Sequence, residues 1–394
     1  MPKAIIFCAD GTWNGPEEKT GVSPTEGSDE HGEVPGAQVT NVVKLFNNIA
    51  GNVTPETTRL PNEQESVLLD QTGAVVQAAK YIHGVGDSKN IALKVLGGTV
   101  GTGIIARIVR GYTFISRHYD PGDEIHITGF SRGAYTARAL AGMMTNVGLL
   151  NRATYDPSDK EEAYRLGIGA WCKSREIMLQ GKNRPVTHVV VDFVKTFFGK
   201  KLPDNGVVAD VPIKSVAVWD TVGSLGIPIY VGNDRLDVFR FADTALSPKI
   251  ANGFHAMSID ELRGDFSISR WDDRPGVTQV WFLGAHSDVG GGYPQAESGL
   301  SDIALDWLMK KLEGVGVKFS SPLIYTPATG NVMQAIHRPW ERPPFDALPK
   351  FQRKIRPTDV VHASVVRRFT SDATYRPEAL AELSDKIAAM PQEN

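Results

Sequence analysis

The sequence is poor in several things at once. Cysteine occurs twice in 394 residues, as Cys8 and Cys172, which is too few for a disulfide framework and too far apart for a repeated C-x-x-C zinc site. Neither sign of charge dominates. Lys and Arg total 42 against 45 Asp and Glu, a formal charge of −3, without the basic excess expected of a nucleic-acid binder. Long hydrophobic runs are missing too: the most apolar stretch, 91–112, is broken by Lys94, Arg107 and Arg110, whereas a membrane-spanning helix needs about 20 mostly apolar residues. The first apolar run stops at Asp10, short of the roughly 7–15 residues of a secretory signal core. These absences predict a chain that is cytoplasmic as synthesised, with signal-independent export still open to it. What is present, 41% hydrophobic residues, suits an ordinary globular protein.

Short apolar runs rich in β-branched or aromatic residues lie at 4–8, 124–130, 216–219 and 279–283, the pattern of strands buried on both faces of a parallel sheet. Helical spacing appears between them, over 41–49 (Val42, Leu45, Phe46, Ile49) and 104–118 (Ile104, Ile108, Tyr112, Ile115). The alternation predicts an α/β fold, a mostly parallel, doubly wound sheet with helices on both faces, as one domain over 1–394. Residues 15–37 are rich in Gly, Pro, Glu, Ser and Thr and read as an exposed loop. Residues 151–212 are more than a crossover needs and read as an inserted cap or lid. Within it, 171–201 hold seven Lys or Arg against two acids, interleaved with Val189, Phe193, Phe197 and Phe198. That composition suits either a solvated basic face or a cap that meets an apolar or anionic-lipid surface. No internal repeat or heptad run is present.

Ligand crevices of open α/β sheets lie beyond the carboxyl ends of the strands, and the residues just after the predicted strands are Asp10-Gly11-Thr12, Ser131, Asp220 and His286. Ser131 sits in Gly129-Phe130-Ser131-Arg132-Gly133, between an apolar strand and a helical run with Ala137, Leu140, Ala141, Met144 and Val147 on one face. This is the context a nucleophile elbow requires, because the helix start turns its free N–H groups toward the reacting carbonyl. A serine needs a base oriented by an acid. His286, at a strand end before Gly290-Gly291-Gly292, and Asp220, after 215–219, supply them in the order Ser, Asp, His. A shifted set, Ser131 with Asp288 and His362, keeps the same order, and His255 is a further rival base. The oxyanion hole would use the backbone N–H of Arg132 and of Gly11 or Thr12. Asp10-Gly11-Thr12 also resembles the haloacid dehalogenase loop, but its nucleophilic Asp falls at Cys8. The glycines of 97–103 lack the Lys-Ser/Thr of a P-loop and read as a turn before a helix at Ile104. No His or carboxylate has metal-ligand spacing, and no cofactor is implied.

Beyond single motifs, Asp10-Gly11-Thr12-Trp13-Asn14, Thr40-Asn41-Val42, Gly129 through Arg138, Trp219-Asp220-Thr221-Val222-Gly223 and Gly284 through Tyr293 together resemble one group. It is the α/β-hydrolase family that includes the type VI secretion lipase effectors with phospholipase A activity. The resemblance spans roughly residues 3–300 and implies Ser131 as nucleophile, Asp220 as acid and His286 as base. Strand ends and resemblance thus agree on a serine hydrolase of carboxylic esters, of lipase, esterase or phospholipase type, acting on a hydrophobic or lipid ester. An acyltransferase or thioesterase would use the same residues. A non-catalytic scaffold that binds a ligand or protein partner is the alternative outside the enzymes.

Overall fold

The computed structural model describes residues 2–11, 39–55, 63–84, 99–180, 198–222, 229–231, 234–236, 245–327, 331–342, 345–347 and 349–394. In chain order the strands are β1 (Ala4–Ala9), β2 (Asn52–Val53), β3 (Glu63–Leu69), β4 (Val75–Ile82), β5 (Glu124–Phe130), β6 (Leu149–Leu150), β7 (Val207–Val208), β8 (Ile213–Trp219), β9 (Ile229–Val231), β10 (Asp234–Leu236), β11 (Ile250–Ser258), β12 (Val277–Phe282), β13 (Val360–His362) and β14 (Gln392–Glu393). The helices are α1 (Asn41–Asn48), α2 (Thr99–His118), α3 (Arg132–Val147), α4 (Lys160–Leu179), α5 (His286–Gly290), α6 (Gly299–Glu313) and α7 (Ala363–Ser371).

Ten strands form one sheet in the order β14-β13-β12-β11-β8-β5-β1-β4-β3-β2. From β14 to β4 every pairing is parallel, while β3 and β2 close one edge as antiparallel strands. The chain starts in the middle at β1, crosses to the edge at β2, returns inward through β3 to β4 beside β1, and then passes to the other side of β1 at β5. That reversal puts a crevice at the carboxyl ends of β1 and β5.

Alternation along the central strands explains the two layers. Ile5, Phe7 and Ala9 enter a core with α2, α3 and α4, while Ala4, Ile6 and Cys8 enter the opposite core with α1 and α6. A third cluster joins Trp281 and Met257 to Val361, Val365, Phe369 and Leu380 of the C-terminal segment. With apolar side chains needed on both faces, the strands read as near-continuous hydrophobic runs.

Two boundaries differ from expectation. Helix α2 begins at Thr99 rather than Ile104, so part of the glycine-rich stretch is helical and not a turn. Adding a turn to an existing helix gains a hydrogen bond per residue, against about 1 kcal/mol for each glycine. Strand β8 begins at Ile213, just after Pro212, where a proline is tolerated because it heads the strand. The expected loop at 15–37 lies outside the described residues. The described parts of 151–212 pack against the rest of the chain. Leu166, Ala170 and Trp171 of α4 join the core with α2 and α3, and β6 pairs with β7, Leu149 opposite Val208, which joins the chain just before residue 151 to the chain near residue 208. Most of its basic and aromatic stretch, 181–197, lies outside the described residues.

Candidate active site

Register aligns the candidate residues before any side chain is considered. Phe130 pairs with Trp219 across β5 and β8, so Ser131 and Asp220 follow at adjacent strand ends. Ser131 N–H donates to Trp219 O at 3.1 Å and Asp220 N–H to Ala256 O at 2.8 Å, which extends the ladder through the site. Both residues leave their strands with positive φ, 57° for Ser131 and 38° for Asp220. Non-glycine residues enter this region at a cost of order 1–3 kcal/mol and are held there by their surroundings.

The surroundings of Ser131 account for its glycines. A Cβ on Gly129 would overlap the backbone of Gly133, and a Cβ on Gly133 would overlap the carbonyl oxygens of Ala9 and Asp10. The G-x-S-x-G spacing therefore lets the β5–α3 turn close on itself and against the end of β1. Ser131 is the N-cap of α3 but its hydroxyl makes no capping bond, so that oxygen is not committed to the helix. The first N–H groups of α3, including that of Arg132, have no intrahelical acceptor by helix geometry.

Asp220 and His286 are hydrogen-bonded. His286 Nδ1 lies 2.6 Å from Asp220 Oδ2, and because a carboxylate only accepts, Nδ1 carries the proton and Nε2 keeps a lone pair. Asp220 also accepts from Ser258 N–H at 2.8 Å and from both Nη atoms of Arg353, at 2.5 and 2.9 Å. Burial pushes the Asp220 carboxyl up, but the Arg353 charge and the bonds from His286 and Arg353 outweigh it and hold the group well below the usual carboxylate range. Burial is also the largest influence on His286 and, against the pull of Asp220, sets its pKa below the ordinary 6.5. At neutral pH the imidazole is therefore an uncharged acceptor beside a fixed carboxylate.

His286 heads α5 and is held on every side. Its N–H donates to Glu261 Oε2 at 3.2 Å, and Glu261 is itself bound by Arg263. The ring packs 4.5 Å from that of Phe130 and 5.0 Å, edge-on, from that of Phe266. Asn41 Nδ2 donates to Val289 O at 2.9 Å and to Ser301 O at 2.8 Å, and Gly292 N–H donates to Val39 O at 3.1 Å. The Thr40-Asn41 segment thus fastens α5 and its glycine loop to the sheet.

Asp10 does not face that pair. Its carboxylate accepts from Thr40 Oγ1 (3.0 Å), Tyr81 Oη (2.8 Å) and Gly11 N–H (2.7 Å), and burial pushes its pKa up to about 7 in spite of these donors. Gly11 N–H is thereby engaged with its neighbour's side chain; Thr12 lies outside the described residues. Asp288 and His362 are not brought together. Asp288 accepts from His337 at 2.6 Å, whereas His362 caps α7, its Nδ1 accepting from Ser364 N–H at 3.2 Å, and stacks on Phe282. His255 Nε2 accepts from Thr221 N–H at 3.1 Å, and burial pushes its pKa down to about 3. Among the described residues no group of three or more His, Cys, Asp or Glu could hold a metal ion, and no helix is long and apolar enough to cross a membrane.

Sequence reasoning missed Arg353, Glu261 and Arg263. Arg353 stands in a run of cations, Lys350 to Arg356, and nothing in that run marks one of them as buried.

Fold and site together define a doubly wound α/β protein whose candidate centre lies at the carboxyl ends of parallel strands. Residues 3–311 match the model of the family described as T6SS phospholipase effector Tle1-like, catalytic domain, and the chain belongs to that family. It is 27% identical over 281 residues to the uncharacterized protein YEL023C of Saccharomyces cerevisiae, covering 71% of this chain and 34% of that one. A crystal structure of an uncharacterized protein from Pseudomonas aeruginosa is similar with 15% identity and a TM-score of 0.41, over 81% of this chain and 47% of that chain. The Tle1 effector bound to the VgrG spike of the type VI secretion system gives 17% identity and a TM-score of 0.35, over 74% and 51%. The chain spans about a third of the yeast relative and about half of each of these structures.

Proposed function

We propose that the chain hydrolyses carboxylic esters of lipids through an acyl-enzyme on Ser131. His286 Nε2 takes the Ser131 hydroxyl proton as the oxygen attacks the ester carbonyl. The tetrahedral oxyanion is held by the backbone N–H of Arg132, with the second donor expected at Gly11, whose N–H in the structure donates to Asp10 Oδ1, or at Thr12. On collapse His286 returns the proton to the departing alcohol and leaves the acyl group on Ser131. Water then repeats the sequence: His286 takes its proton, the hydroxyl attacks the acyl carbon, and Ser131 regains its hydrogen as the acid leaves. Asp220 keeps His286 in the required tautomer and stabilises the imidazolium.

The observation that carries this reading is the hydrogen-bonded pair of Asp220 and His286, with the imidazole neutral and Ser131 in a left-handed strand-to-helix turn at the neighbouring strand end. The strand order β4-β1-β5-β8 with antiparallel β3 and β2 beyond β4 also supports an α/β-hydrolase arrangement. In it the 151–212 insertion serves as the cap, and membership of a phospholipase effector family supports a lipid as the ester.

The test is product release from p-nitrophenyl esters of increasing acyl length and from phospholipid vesicles. Wild type should turn over, Ser131→Ala and His286→Ala should not, and His362→Ala should resemble wild type. Turnover that survives Ser131→Ala would defeat the reading, and a wild type inert on every ester and lipid would favour the binding scaffold.

A further inference from the structure

Four hydrogen bonds leave the Asp220 carboxylate no freedom to turn. Oδ1 accepts from Ser258 N–H and Arg353 Nη1, and Oδ2 accepts from Arg353 Nη2 and His286 Nδ1. Arg353 is held in turn, Nη1 donating to Ser258 O at 3.0 Å and Nη2 to Phe266 O at 2.8 Å. One buried guanidinium therefore ties together the ends of β8 and β11 and the turn that carries Phe266, whose ring packs edge-on against His286. A two-point contact of this kind fixes orientation as well as charge.

We propose that Arg353 is a positioning residue of the ester hydrolysis inferred above, locking the Asp220 carboxylate against His286 and setting the proton affinity of that imidazole. The inference rests on that reading and extends it to a segment beyond residues 3–311, the part the family model matches. Without Arg353, the carboxylate would keep one backbone donor, that of Ser258, and its oxygens could tilt out of line with Nδ1 while its charge stays beside the ring.

Charge adds a second argument. The ionisable groups facing His286 are Asp220, behind which lies Arg353, and Glu261, paired with Arg263; the aromatic neighbours are Phe130 and Phe266. Among these groups each acid is matched by an arginine, Asp220 by Arg353 and Glu261 by Arg263. Burial, and after it the Arg263 charge, lower the His286 pKa against the upward pull of Asp220 and Glu261. Arg353, paired with the same Asp220 carboxylate, offsets part of that upward pull, and removing it would raise the base's pKa. The base is then available at the cost of some support for the cation formed in the transition state.

The experiment compares wild type, Arg353→Lys and Arg353→Met. For Arg353→Met, kcat should fall about a hundredfold, the scale of a misplacement near 1 Å, with KM changed less than about twofold because Arg353 does not touch substrate. The acid limb of its kcat/KM profile should move up by roughly one pH unit. Arg353→Lys keeps the charge but not the fork, so its limb should stay with wild type while kcat falls. The lysine variant decides the question where Arg353→Met does not fold. A folded Arg353→Lys with wild-type kcat, or a folded Arg353→Met with an unmoved limb, would overturn the proposal.

The titration of His286, followed by NMR in a Ser131→Ala background, separates this idea from the function it rests on. If replacing Arg353 raises that pKa in an enzyme-inactive chain, the positioning role stands whatever ester is turned over. If wild type has no ester activity but the titration still moves, the hydrolase reading fails while the coupling survives.

Discussion

Asp288 Oδ1 lies 2.6 Å from His337 Nδ1, the same separation as between Asp220 Oδ2 and His286 Nδ1, yet the two imidazoles are driven in opposite directions. Burial dominates His286 and lowers its pKa. His337 is less covered, and although burial again pulls downward, bonds to Asp288 and to Glu297, at 3.0 Å on Nε2, raise it overall. With a carboxylate on each ring nitrogen, which favours its protonated form, His337 links segment 331–342 to α5 and to the turn at Gln295–Glu297. Its ring also stacks on Tyr293 at 3.5 Å. The helix that begins with the candidate base is thus fastened from behind by a second histidine.

That difference predicts a pH-dependent stability. The folded pKa of His337 lies above its unfolded value, so its contribution is fully present below about 6.5 and is lost as pH rises through the folded pKa. Thermal unfolding of wild type and His337→Gln should differ clearly near pH 5.5 and converge at about pH 9. A gap that is constant or grows toward high pH would show that the imidazolium bridge is not what His337 contributes.

For His286 the sign is reversed. Its proton-free form is the working base, and its folded pKa lies below 6.5. kcat/KM for a soluble ester should therefore fall on acidification along a limb whose midpoint is below 6.5, and stay flat through neutrality. Asp220→Asn should lower kcat by about 10⁴-fold, because the amide permits the wrong tautomer. A limb centred above 7 would mean that the field of Asp220 outweighs burial in solution.

How far the sequence alone reaches can be judged from particular residues. That Ser131, Asp220 and His286 lie beyond strand ends was readable because each follows a strand buried on both faces, and such strands advertise themselves as apolar runs. Strand β11 was not, because Asn252-Gly253 looks like a turn. In the fold Gly253 sits mid-strand, where an added Cβ would crowd Leu246 and Trp271. Strand β3, between β4 and the edge strand β2, opens on Glu63, Gln64 and Glu65 and buries only Ser66 fully, so it shows no long apolar run either. Arg353 was illegible for a different reason. Its role depends on a carboxylate 133 positions away, and a guanidinium bound for the core carries no local mark that separates it from Lys350, Lys354 or Arg356.

The elbow glycines give a steric prediction. At Gly133 an added methyl would overlap the carbonyl oxygens of Ala9 and Asp10, backbone atoms that cannot swing aside as a side chain could. Gly133→Ala should destabilise the fold by about 1–3 kcal/mol, the range for overpacking. It should also depress activity further than the folded fraction explains, since the turn must open where Ser131 sits. Gly142, where an added methyl would meet nothing within 4 Å, is the control. Gly142→Ala should match or exceed wild-type stability, because alanine is the better helix former, and a loss there as large as at Gly133 would count against the steric account.

A buried ion pair supports the same region from the opposite face. Lys44 Nζ of α1 lies 2.7 Å from Asp302 Oδ1 of α6, with side-chain exposures of 2% and 1%, and Ser298 Oγ donates to the other carboxylate oxygen at 3.0 Å. Asn41, the first residue of α1, bonds Val289 O of α5 and Ser301 O of α6, so the spacing of α1 and α6 bears on where α5 sits. Removing one partner strands a charge in a low-dielectric interior. Lys44→Met alone should cost about 3–5 kcal/mol, while Lys44→Met with Asp302→Leu should recover much of that loss. Denaturant titration of the two single variants and the double gives the coupling directly. If the double variant is as unstable as the worse single one, the pair acts through shape and not through charge. If stability returns but ester turnover does not, the ion pair is kept for the placement of α5 and not for the core.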